Sequence, residues 1–208
     1  MPKILSPAQI GDFRERLIDA AERQFEQTGH DAVSLRHLAA DLGVSPMTPY
    51  RYFKDKDDIL AAVRARGFDR FAETLERAGQ DEADPWARSA AVGAAYVRFA
   101  FEHQAAYRLM FDLTQPNENA YPDLVRACER ARATMSAHLR PLIEAGLIEG
   151  DLTTVAHAYW AGLHGLIVLN LADKLSPEAD FGAVLTTLVT GLNRGLAGRE
   201  AASAEAQS

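Results

Sequence analysis

The stretch that decides the fold is residues 34–53, SLRHLAADLGVSPMTPYRYF. Ser34 is a good N-cap for a short helix over 35–41, which buries Leu35, Leu38 and Ala39 at helical spacing. Gly43 permits a tight turn. Ser45 caps a second short helix, with Pro46 at its first position, where a missing N–H costs nothing. That helix ends near Phe53. Two short helices joined by a Gly-containing turn of a few residues are the sequence form of a helix-turn-helix. Leu35, Leu38, Leu42, Val44 and Phe53 form the shared core. Ser45, Met47, Thr48, Tyr50, Arg51 and Tyr52 then face outward, where short polar and apolar tips suit base edges and neighbouring donors suit phosphates.

Working outward, a leading helix runs from about Ser6 or Gln9 to Thr28. Leu17, Ala20, Ala21, Gln24 and Phe25 supply its spacing, and Gly29 stops it. Downstream, a longer helix starts at Lys56 and reaches about Ala78. Further helices are expected at about 84–103, 104–113, 122–145, 152–173 and 178–197. They are separated at Gln115-Pro116-Asn117, at Gly146 and Gly150, and at Ser176-Pro177. Val, Ile and Thr nowhere alternate with polar residues long enough for a strand. The expected fold is all-α: an N-terminal three-helix helix-turn-helix domain (1–66), a C-terminal helical ligand-binding and dimerisation domain (67–197), and a small polar tail (198–208) that frays.

Composition narrows the function. The chain has 208 residues, 48% hydrophobic, with a net charge of −7. Residues 1–66 hold ten Lys/Arg against ten Asp/Glu, and residues 67–208 hold 12 against 19, so the acidity lies wholly in the C-terminal part. A neutral segment can still bind phosphates if its cations cluster on one face. The single cysteine, Cys128, excludes an internal disulfide and a Cys-based zinc site and fits a reducing, cytoplasmic setting. No signal peptide is visible, and the most apolar run, 158–172, falls short of the ~20 residues a bilayer needs, so no membrane partner is expected. No nucleophile elbow, phosphate loop, dinucleotide fingerprint or HExxH pattern occurs, so neither an enzyme, a metal nor a cofactor is expected.

Residues 12–66, DFRERLIDAAERQFEQTGHDAVSLRHLAADLGVSPMTPYRYFKDKDDILAAVRAR, resemble the DNA-binding domain of the TetR family of regulators. The likeness covers about a quarter of the chain. It rests on Phe25 and Gly29, the Ser34 cap, Leu38-Ala39, Gly43-Val44-Ser45, Tyr50-x-Tyr52-Phe53, and Lys56 before Leu60. The resemblance implies that Ser34, Arg36, Ser45, Thr48, Tyr50 and Lys56 contact phosphates of double-stranded operator DNA. It places Met47, Thr48 and Arg51 nearest the bases. The bland alternative for Arg36 and Arg51 is a surface ion pair with Asp41 or Asp55. Pro49 departs from a regular recognition helix. It lacks the N–H that would close the first bond to Ser45, and it should push Thr48 away from helical angles.

The C-terminal part, with HQAAYRLMF (103–111) and YWAGLHGLIVLNLA (159–172), looks like the ligand-binding domain of the TetR subgroup named for a Trp-His-Gly signature, here Trp160-x-x-x-His164-Gly165. Val92, Tyr96, Phe99 and His103 form a helical stripe. Tyr96, Phe99 and His103 of that stripe, with Tyr107, Met110, Phe111, Met135, His138, Trp160 and His164, suit a pocket for a small, largely apolar effector, although such stripes are more often core. The helix at 152–173 is apolar on nearly all sides. Gly162, Gly165, Leu166 and Leu169, with Leu185, Leu188 and Leu192 of the last helix, are expected at a four-helix interface of a homodimer. The reading is a repressor that binds a palindromic operator and is released by its effector. The alternatives are a DNA-binding dimer controlled by a protein partner or by nothing, and, more remotely, an enzyme in the helical domain.

Overall fold

The computed structural model describes residues 7–29, 33–112 and 118–198. Nine α-helices are present among them: α1 (Pro7–Thr28), α2 (Leu35–Asp41), α3 (Lys56–Gln80), α4 (Pro85–Glu102), α5 (Gln104–Met110), α6 (Pro122–Ala137), α7 (Arg140–Glu144), α8 (Leu152–Leu171) and α9 (Phe181–Gly195). Short 3-10 segments lie at Pro49–Arg51 and Glu118–Ala120. The expected all-α class holds. The only strand-like pairing described is an isolated bridge between Ile148 and Ala197. The expected break at 115–117 and all of the tail beyond Gly198 lie outside the described residues.

Local chemistry sets the helix ends. Ser34 has extended angles and its hydroxyl accepts from the His37 N–H at 3.2 Å, which starts α2. At the other end the Val44 N–H donates to Ala39 O (2.9 Å) and the Gly43 N–H to Ala40 O (3.0 Å). With Gly43 at φ +65° this is a Schellman stop. Asp84, Asp151 and Asp180 each cap the helix that follows by accepting from the N–H three residues on. The single helix expected over 122–145 is instead two, α6 and α7. Pro141 has no N–H to donate to Ala137, so the chain turns at His138-Leu139 before resuming.

By packing, the chain forms two compact units that do not follow a linear cut. Residues 1–70 group with 105–130, and residues 71–104 with 131–208. α3 passes from the first unit to the second after Arg70, and α6 after Arg130.

In the first unit, Leu17, Ile18, Ala21, Leu35, Leu38, Phe53, Ile59, Leu60 and Val63 make one core, to which Leu109 of α5 contributes. Its rim is ionic. Arg66 of α3 pairs with Glu15 (2.6 Å), Asp19 and Glu22 (3.5 Å) of α1, and Arg70 pairs with Glu22 (2.6 Å). Arg126 of α6 grips Asp69 at 2.8 Å.

In the second unit, α8 packs against α9 and α4. Gly162 is what allows the first contact: a Cβ there would sit 3.0 Å from Leu188 Cδ1. At twenty residues without an Asp, Glu, Lys or Arg, α8 is longer than the expected apolar run and is long and apolar enough to cross a membrane by length and composition. Its inner side, with Val155, Ala156, Leu163, Leu166 and Ile167, is buried against its own chain, as in a core helix.

Candidate functional site

The first candidate is the turn that follows α2. Residues 46–53 do not form the expected α-helix. Thr48 N–H donates to Ser45 O (2.8 Å), Arg51 to Thr48 O (3.1 Å) and Tyr52 to Pro49 O (2.9 Å), so the bonds span three residues and the segment is a turn followed by a 3-10 helix. Two prolines explain this. Pro46 and Pro49 remove donors three residues apart, and Ser45 O, the partner a Pro49 N–H would have had, is taken by Thr48. Thr48 nonetheless keeps helical angles (φ −64°, ψ −46°), contrary to the expectation that Pro49 displaces it. The tight winding turns the Pro49 ring into the core.

The exposed face that results is compact. Met47 is 68% exposed and Tyr50 49%. Ser45 and Arg51 are exposed beside them, and Thr48 and Lys56 are half-buried. Tyr52 is corrected: it is half-buried, its ring 5.0 Å from that of Phe13, and it packs on the core rather than facing outward. Val44 and Leu42 are likewise half-buried instead of central. Arg36 is exposed on α2, and neither it nor Arg51 pairs with a carboxylate among the described residues. Asp41, offered above as a partner of Arg36, accepts instead from Gln24 Nε2 at 2.7 Å, which ties α2 to α1. The Ser34 hydroxyl is occupied as a cap. Asp55 and Asp58 brace the start of α3: Asp58 N–H donates to Asp55 Oδ1, and Lys54 N–H to Asp58 Oδ2, both at 2.9 Å. Hydrogen bonds thus flank the element at the end of α2 and at the start of α3, the kind of support a reading surface needs.

The second candidate is a pocket of about 370 Å³ in the second unit, walled by α4, α8 and α9 with parts of α3 and α6 and open to solvent beside the exposed Ala90, Ala94, Thr186 and Thr190. Of the ten residues expected to line a pocket, Tyr96, Met135, His138 and Trp160 do so. The others are corrected. Phe99 is buried edge-to-face on Phe71 (5.3 Å), and His103 is exposed and stacks on Phe99. Tyr107, Met110 and Phe111 belong to the other unit. There Tyr107 and Met110 are core, and Phe111 packs on Phe68 at 5.6 Å. His164 is half-buried beside Trp160 without lining the cavity.

The lining that sequence reasoning missed includes Trp86, Ser89, Gly93, Leu163, Tyr159, Val189 and Asn193. Its signal was present in α4: Trp86, Ser89, Ala90, Gly93 and Val97 recur at helical spacing, one bulky residue followed by small ones that leave room. Two polar pairs punctuate the wall. Tyr159 donates its hydroxyl to Asn193 Oδ1 (2.6 Å), and His138 Nδ1 lies 3.2 Å from Ser89 Oγ. Burial pushes His138 down from 6.5 to about 4, against a backbone hydrogen bond with Met135, so its imidazole is neutral at pH 7.

Around the outside of α8, Ala161, Val168, Leu169 and Ala172 are exposed along one stripe with Gly165, over which nothing lies within 4 Å of a Cβ position. Val168 is 43% and Leu169 47% exposed. No residue of α9 is fully buried, although Val184, Leu185, Leu188, Val189 and Leu192 recur on it. Of the expected interface set, Leu169 is exposed and Leu188 and Leu192 are half-buried. Leu166 is buried within its own chain, Gly162 serves the α8–α9 contact, and Leu185 lines the cavity.

Comparison with known proteins divides the chain linearly instead, into an N-terminal and a C-terminal match. A family described as bacterial regulatory proteins, tetR family, matches residues 17–63, and one described as a tetracyclin repressor-like C-terminal domain matches residues 89–192. The chain is 29% identical over 139 residues to the HTH-type transcriptional regulator Rv1816 of Mycobacterium tuberculosis, covering 66% of this chain and 58% of that protein's length. It is 28% identical over 172 residues to the HTH-type transcriptional regulator BetI of Rhizobium meliloti, 81% of each chain. Among solved structures, a protein of unknown function from Rhodococcus sp. RHA1 superposes with a TM-score of 0.79 at 32% identity, over 93% of this chain and all of that one.

Proposed function

Since the chain belongs to the TetR family of bacterial regulatory proteins, we propose that it is a DNA-binding transcriptional repressor that seats on a palindromic operator as a homodimer and leaves it when a small effector fills the cavity. The observation that carries the reading is the exposure of Met47, Tyr50 and Arg51 on the hydrogen-bonded element that follows α2. Tyr50, Lys56, Ser45, Thr48 and Arg36 supply donors for phosphates, and Met47, Thr48 and Arg51 stand nearest the bases. Ser34 holds the first helix in place from its cap. DNA binding lies in residues 1–66, and the neutral charge of that segment calls for contact through a few cations rather than a broad basic surface.

The uncovered stripe on α8, with the half-buried leucines of α9, supports association of two copies through a four-helix contact. Two reading elements then meet successive major grooves about 34–36 Å apart, or a multiple of that. Effector control uses α3 and α6, which contribute Leu75 and Met135 to the cavity and continue into the N-terminal unit. Binding at the two sites must be reciprocally coupled, typically by about 5–150-fold.

Fluorescence anisotropy with labelled operator tests both parts. Tyr50→Ala and Arg51→Ala must each weaken binding while leaving the fold intact. A ligand that displaces the protein must itself bind more weakly to the DNA complex by the same factor. Equal ligand affinities with and without operator would remove the switch and leave a DNA-binding dimer governed by something else.

A further inference from the structure

The cavity is built to select against charge. Twenty residues line it, and none is Asp, Glu, Lys or Arg. The chain is 25% charged overall, and charged residues flank the lining positions directly, as with Arg88 before Ser89 and Arg194 after Asn193. Each of them is turned out of the wall. The polar side chains in the lining are hydroxyls, two indoles, one amide and one imidazole. Four of them are already engaged in two pairs, Tyr159–Asn193 and His138–Ser89. A neutral imidazole offers one donor and one acceptor and no net charge. An ionised ligand would lose part of its hydration here and meet no counter-ion, whereas an uncharged one meets aromatic faces from Trp86, Tyr96, Tyr159 and Trp160.

The space is also deliberately kept open. Gly93 sits mid-way along α4, where glycine is among the poorest helix formers. It lines the cavity, and no atom lies within 4 Å of where its Cβ would be. Gly165 and Gly191 are also open at the Cβ position, but Gly93 alone of the three lines the pocket, so there the missing side chain adds directly to the space a ligand can fill.

We propose that the cavity walled by Trp86, Gly93, Tyr159 and Trp160 binds an uncharged, mainly aromatic or aliphatic molecule with one or two hydrogen-bonding groups, placed over Gly93 and within reach of the His138–Ser89 pair. This rests on reading the cavity as the effector site, but it concerns binding to the free protein and does not depend on DNA.

The test is a matched series on one scaffold: 4-biphenylmethanol, 4-biphenylcarboxylate and 4-biphenylmethylammonium, titrated calorimetrically into the full-length protein without DNA at pH 7. The alcohol is expected to bind, with either ion at least about tenfold weaker. The chain has two tryptophans, Trp86 and Trp160, and both line the cavity. Occupancy by the alcohol must therefore also change the intrinsic fluorescence. Gly93→Phe, whose ring enters open space, should abolish binding while the thermal midpoint stays the same or rises. Equal affinities, a preference for either ion, no binding by any of the three, or undiminished binding to folded Gly93→Phe would each overturn the proposal. If the alcohol binds as expected but leaves operator binding unchanged, the ligand class stands and the effector role fails.

Discussion

Replacing His138 should change how the protein's stability depends on pH, with a size set by its burial. In the folded chain its imidazole is held down to about 4 from an ordinary 6.5. A histidine with a depressed folded value gives the unfolded state the stronger hold on the proton. Stability is therefore intact above about pH 6.5, falls as the pH drops toward 4, and levels off below that. At about 1.4 kcal/mol for each pH unit, the drop amounts to about 3 kcal/mol by pH 4. Other groups titrate over the same range, among them His164, also lowered by burial. The informative quantity is thus the difference between the native protein and His138→Gln, which keeps a polar side chain beside Ser89 but cannot titrate. Urea unfolding followed by tryptophan fluorescence at pH 7, 6, 5 and 4, at one protein concentration, measures it. The native protein should lose about 3 kcal/mol more than the variant between pH 7 and pH 4. Parallel losses would show that His138 is not buried as a neutral group and would undo the account of the cavity's polar end.

Three further outcomes follow from the same geometry. Lys56→Ala should lower DNA affinity and reduce the slope of log K against log salt by about 0.9, the loss of one phosphate contact, and an unchanged slope would place Lys56 away from the backbone. Leu169→Arg, at a side chain 47% exposed on the uncovered stripe of α8, should turn a dimer into a folded monomer in sedimentation velocity, and a persistent dimer would move the interface elsewhere. Arg66→Met removes the partner of Glu15, Asp19 and Glu22 and should cost about 1–2 kcal/mol in urea unfolding, and an unchanged stability would show that this ionic rim does not hold α1 to α3.

Much of the fold could be read directly because its signals are local. The Ser34 cap, Gly43 and the apolar spacing of Leu35, Leu38 and Phe53 each fix a short segment without help from elsewhere, and the structure keeps all of them. Where two local rules compete, sequence alone does not choose. Pro49 both forbids a regular helix and disfavours helical angles at Thr48. The outcome, a 3-10 turn with Thr48 still helical, depends on burying the Pro49 ring. Pro141 was a readable break within the long sixth helix that a strong apolar pattern on either side concealed.

The cavity was only partly legible for a different reason. Periodicity shows that Tyr107, Met110 and Phe111 share an inward face, but not which body that face enters, and α5 packs into the N-terminal unit. Bulky aromatics drew attention, yet a cavity is bounded as much by residues that leave room. Ser89, Ala90 and Gly93 carry little hydrophobic signal, although their spacing from Trp86 marks the same face. Leu166 and Leu169 illustrate the remaining gap. They lie three apart on one apolar helix, and only the packing of α8 shows that the first is 6% exposed and the second is open to a partner.

The central claim is sequence-specific DNA binding by a two-fold dimer. Its most direct test incubates the purified protein with fragmented genomic DNA at about 150 mM salt, where non-specific phosphate binding is weakened, and sequences the fragments retained. The account predicts enrichment of one inverted repeat with half-site centres about 10 base pairs apart or a multiple of that, and its loss with a protein carrying both Tyr50→Ala and Arg51→Ala. A folded, dimeric protein that enriches no motif, or enriches the same one with that double variant, would contradict it.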